Sequence, residues 1–101
     1  MQGDLFDDFE KAMEDLFTKH GFLKTLDTRD QGRIDGWEQL LCFSDGKNEL
    51  KLSQFLDTFR QYSIIFNGDK IRTIEADQYE SSWSAAIDLK GTIEKKIKAS
   101  R

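Results

Sequence analysis

The chain has no proline, one cysteine and one histidine in 101 residues. No apolar run approaches the ~18 residues that a membrane span requires. Without proline there are no proline-rich linkers, and long rigid loops are disfavoured. Cys42 alone excludes an internal disulfide and any cysteine-rich zinc site, so a reducing compartment, the cytoplasm, is the expected home. His20 alone rules out a two-histidine metal site and any relay through a second histidine. No glycine-rich phosphate loop, His-Glu-x-x-His or Gly-x-Ser-x-Gly is present. The opening Met1-Gln2-Gly3-Asp4 is acidic where a secretion signal is basic, so no signal peptide is expected. These absences together lead to the expectation of a protein that is not an enzyme and carries no cofactor.

What is there suffices for a core. Apolar residues make up 38% and charged residues 34%, with eight Phe, two Trp and two Tyr, which suits a single domain over 1–101. The net charge is −4, and its distribution matters more than its sum. Residues 1–15 carry Asp4, Asp7, Asp8, Glu10, Glu14 and Asp15 against Lys11 alone, whereas residues 90–101 carry four lysines and Arg101 against Glu94. Acids at the start of a first helix and bases at the end of a last one suit two helix dipoles. The same layout offers an acidic end to a basic partner surface. No basic face spans the chain, so direct nucleic-acid binding is not expected.

Leu5, Phe6, Phe9, Ala12, Met13, Leu16 and Phe17 recur at helical spacing and predict a helix over 5–20, with Gly21 as its left-handed exit and Phe22 folding back on Phe17. From Phe22 to Glu75 turn signals alternate with short apolar stretches. Asn67-Gly68, between Tyr62–Phe66 and Lys70–Ile74, is the preferred two-residue hairpin turn. Ile71 and Ile74 break strict alternation there, which suggests a bulge. Trp37–Phe43 and Asn48–Ser53 read as a second hairpin, with Leu50 and Leu52 inward and Glu49, Lys51 and Ser53 facing water. Over 53–62, Phe55, Leu56, Phe59 and Tyr62 favour a short helix capped by Ser53, with continued strand as the alternative. Asp77 and Glu80 form a capping-box pattern for a final helix to about residue 98. Tyr79, Trp83, Ala86, Ile87, Ile93 and Ile97 are its apolar stripe, and Gly91 costs it about 1 kcal/mol relative to alanine. The expected fold is α+β: an N-terminal helix, an antiparallel meander of four to five strands and a long C-terminal helix on one sheet face, leaving the other face partly exposed.

Asp27-Thr28-Arg29-Asp30-Gln31-Gly32-Arg33-Ile34-Asp35-Gly36-Trp37-Glu38 resembles an EF-hand calcium loop over twelve residues. The resemblance implies Asp27, Asp35 and Glu38 as metal ligands and Gly32 at the sharp turn. Arg29 and Gln31 stand at the third and fifth places, where that family has Asp or Asn. Among the aromatics, Trp83 falls on the helical stripe and is expected in the core, while Trp37 beside a turn is the expected exposed anchor. The leading expectation is a small acidic inhibitor of the immunity-protein or phage anti-defence kind. Asp4, Asp7, Asp8, Glu10, Glu14, Asp15 and Trp37 would contact a basic surface of a protein partner, such as a nucleic-acid-binding enzyme. The other readings are a degenerate calcium module and a homodimeric regulatory module.

Overall fold

A computed structural model of the chain describes residues 5–28, 38–55 and 61–99, without the side chains of Glu38, Gln39 and Phe55. Helix α1 forms over Leu5–His20, and the seven apolar residues that predict it are the seven it buries. Its ending has a physical cause at each step. Gly21 turns into the left-handed region at φ 76°, the Phe22 N–H donates to the Phe17 carbonyl at 2.9 Å, and the two rings meet at 5.5 Å. Gly21→Ala therefore lowers stability by about 1 kcal/mol through strain alone, read as a drop of a few degrees in Tm.

Five strands follow: β1 (Leu23–Asp27), β2 (Glu38–Ser44), β3 (Glu49–Phe55), β4 (Gln61–Phe66) and β5 (Asp69–Glu75). They pair antiparallel in chain order, a simple meander. At the β4–β5 turn Asn67 and Gly68 both take positive φ, as the Asn-Gly signal requires. Asn67 also joins this turn to its neighbour: its side-chain oxygen accepts the Glu49 N–H at 2.7 Å and its amide donates to Asn48 at 3.0 Å. The expected irregularity in β5 is real. Ile64 pairs with Arg72 and Ile65 with Lys70, so Ile71 is the extra residue, and both Ile71 and Ile74 reach the core.

Helix α2 spans Ser82–Ala99, which corrects the expected start at Asp77. Asp77 lies instead in a short 3-10 turn, Ala76–Gln78. The cap is Ser81, whose hydroxyl accepts the Ser84 N–H at 3.1 Å. The stripe differs too: α2 buries Ser82, Ala85, Ala86, Leu89, Ile93 and Ile97. Trp83 and Ile87, expected in the core, are 46% and 44% exposed.

Both helices pack on one sheet face, where Leu41, Phe43, Leu50, Leu52, Tyr62, Ile64, Phe66 and Ile74 join the two helical stripes in one cluster. The short-helix reading of 53–62 fails at both ends, because Ser53 belongs to β3 and Tyr62 to β4; residues 56–60 lie outside the described residues. Ser53 is also buried rather than water-facing. It pairs in register with Ser63, and the Ser63 and Thr73 hydroxyls share a 3.0 Å hydrogen bond on the same face. With Cys42 buried there as well, the middle of the second sheet face is closed to solvent, and among the described residues it opens at Leu23 and Leu26 on the β1 side and at Thr73 on the β5 side.

Candidate functional site: the helix layer

Two contacts fix how α1 and α2 lie. The Ser82 hydroxyl at the start of α2 donates to Asp8 near the start of α1. Further along, Asp15, Leu16 and Lys19 share a groove with Lys90 and Glu94. The helices therefore run side by side in the same direction, and the layer has an acidic end and a basic end. The groove holds about 140 Å³, below the range of ligand pockets. Open recesses of about 340 Å³ along Asp7, Glu10, Lys11 and Glu14, and of about 320 Å³ between Ile71 and the last turns of α2, flank it.

The acids singled out in the sequence divide into two groups. Asp8 is half-buried and accepts from Ser82. Glu10 is half-buried and takes the Lys24 ammonium at 3.1 Å, a cation that Asp27 holds from the other side at 3.2 Å. Hydrogen bonds from Glu10 and then Asp27 raise the Lys24 pKa above its ordinary value. Asp7, Glu14 and Asp15 are exposed, and among the described residues no ion pair involves Glu14 or Asp15. Asp4 and Trp37 lie outside the described residues.

The segment that resembles a calcium loop joins two paired strands, with Asp27 opposite Leu41, where an EF-hand joins two helices. Asp27 is occupied by Lys24. Asp35 and the Glu38 side chain lie outside the described residues, among which no cluster of three metal-ligating side chains occurs. Cys42 is buried in β2 on the second sheet face, and His20 ends α1 on the first.

A second polar cluster pins α2 to the sheet. Arg72 of β5 clasps Asp88 through both nitrogens, at 3.0 and 2.7 Å, and donates to the Thr92 hydroxyl at 2.7 Å. The Tyr79 hydroxyl donates to the same carboxylate. The Arg72 hydrogen bond, then that of Tyr79, holds the Asp88 carboxyl below its usual range. Burial, then Asp88, pushes the Tyr79 phenol up. Because the folded-state pKa of Asp88 is depressed, its contribution is present above the unfolded value of about 3.9 and is lost as pH falls through the folded one. Asp88→Asn thus lowers stability at neutral pH by about 1 kcal/mol, a modest figure because the carboxylate is part-exposed. It also flattens the acid limb of the stability curve, measured by urea titration from about pH 2 to 7.

The exposed Trp83–Ile87 pair is the feature that the periodicity hides. Counting Ala85 and Leu89 gives a stripe at 82, 85, 86, 89, 93 and 97, which leaves 83 and 87 as a separate row one turn apart. Among the described residues no helix is long and apolar enough to cross a membrane. Comparison with protein-family models, curated proteins and solved structures gave no significant match.

Proposed function

We propose that this chain is a cytoplasmic, non-enzymatic binding protein, an inhibitor of the immunity or anti-defence type, that covers a basic surface of a target protein. One observation carries the reading. The exposed carboxylates of Asp7, Glu14 and Asp15 stand on a helix whose opposite side is locked into the core by seven buried residues, so they are ordered before any partner arrives. Preorganised charge speeds the encounter with an oppositely charged surface and selects against acidic ones. Asp8 and Glu10, committed to Ser82 and Lys24, serve the fold in this scheme. A target that binds nucleic acid fits, because its phosphate-binding surface is basic and is blocked by acids in its place.

The test uses two immobilised baits, the wild-type chain and Asp7→Asn/Glu14→Gln/Asp15→Asn, each offered lysate of the native host. The expected result is a protein that the wild type retains at low salt and the neutralised bait releases. Equal retention by both baits contradicts the proposal.

A further inference from the structure

The helix layer is complementary to itself. Asp7 and Glu14, with the exposed Lys11 between them, lie toward one end, and Lys19, Lys95 and Lys98, with the half-buried Glu94 beside them, toward the other. Acid thus prevails at one end and base at the other, because the two helices run the same way. At 100° per residue, Ser84, Ile87, Gly91, Lys95 and Lys98 of α2 point away from the buried stripe, with Trp83 beside them. Gly91, in mid-helix, has no internal reason to be glycine: a Cβ built there meets no atom within 4 Å. Alanine would stabilise the helix by about 1 kcal/mol without a clash. A missing side chain at the centre of an exposed helix face lets another backbone come close.

From these observations we infer that the helix layer is the interface of an antiparallel homodimer. A second copy of this chain is turned end for end about a two-fold axis that crosses the helices at Gly91. Asp8 lies beside Ser82, so the level of Gly91 on α1 is Phe17. Rotation about that level sets Glu14 of one copy against Lys19 of the other, and brings Asp7 toward Lys98 of the second copy. Ile87 comes over the turn beyond Gly91, and Trp83 lies near Lys98 of the second copy, within reach of a cation–π contact. The rotation lays α2 on its mate along its whole length, roughly 27 Å, and α1 on its mate from Glu14 to His20. That footprint, on the order of 400 Å² per partner, makes this a small interface and its association dependent on concentration. The inference stands on the charge layout and Gly91, not on the inhibitor reading. Because both use the carboxylates of α1, a target and a second copy compete for one face.

Sedimentation equilibrium of the full chain at about 100 µM tests it, since association depends on concentration. The expected mass is twice 11.7 kDa, falling toward the monomer in about 0.5 M NaCl. Asp7→Lys/Glu14→Lys and Lys19→Glu/Lys98→Glu are each expected to be monomeric, and an equimolar mixture of the two to recover a dimer, since each reversed end then meets its opposite. Gly91→Leu is expected to weaken the dimer more than tenfold while the monomer keeps or gains thermal stability. If either charge-reversed variant fails to fold by circular dichroism, Gly91→Leu carries the test. A monomeric wild type overturns the dimer and leaves the inhibitor reading standing. A dimer indifferent to Gly91→Leu, or two folded charge variants that do not recover on mixing, overturns this interface.

Discussion

Phe9→Ala lowers the stability of the fold by about 3–5 kcal/mol, the range for deleting a fully buried aromatic ring. Phe9 is completely buried where α1 meets the sheet, with Phe17 and Phe43 each 6.3 Å away between ring centres. Phe17 meets Phe43 in a tilted contact at 4.3 Å and is held by Phe22 at 5.5 Å, so it cannot collapse freely into the space left. A domain of this size has roughly 5–15 kcal/mol in all, so the variant loses a large part of its margin. Each kcal/mol is worth roughly 4–8 °C in Tm. In urea the midpoint moves to lower concentration with the slope unchanged. Leu23→Ala is the matched control: at 73% exposure it changes stability by no more than about 0.5 kcal/mol. Equal losses in the two variants would mean that the core is not where α1 and the sheet place it.

Neutralising Asp7, Glu14 and Asp15 has the second large effect, on the rate of binding rather than on the fold. With the protein retained by the wild-type bait as analyte, the neutralised variant is expected to associate about tenfold more slowly at low ionic strength. Its rate depends little on salt, whereas the wild-type rate falls steeply as salt screens the encounter. Dissociation changes less, because exposed charges steer the approach more than they hold the complex. Glu10→Gln separates steering from support. It frees Lys24 from one of its two carboxylates and so perturbs the β1 edge, yet it leaves the outward row intact and the association rate close to wild type. Should Glu10→Gln slow association as much as the triple variant does, the division of the acids into outward and structural groups is wrong.

How far each element was legible follows from how local its determinants are. Helix α1 could be read to its last residue, because apolar spacing, the glycine at its exit and the Phe17–Phe22 contact all lie within one stretch of chain. The Asn67-Gly68 hairpin was equally readable, since two adjacent residues meet the positive φ demanded at both positions. Ser53 was misread because alternation separates two faces without saying which is wet, and the second face of this sheet is closed at its centre. In α2 the large side chains Trp83 and Ile87 outweighed Ala85 and Leu89 in the pattern, yet the smaller residues face the core. The Asp77–Glu80 pattern competed with Ser81, and the serine caps the helix. The acids were the hardest to assign. Asp8 meets Ser82 from 74 residues away and Glu10 meets Lys24 from 14, pairings that no local signal announces.

Amide chemical-shift mapping of the ¹⁵N-labelled chain against the retained partner addresses most directly whether the helix layer is the working face. The expected changes gather on Asp7, Lys11, Glu14 and Asp15 of α1 and on Trp83 and Ile87 of α2. Changes confined to Leu23, Leu26 and the second face of the sheet, with α1 unmoved, would contradict it.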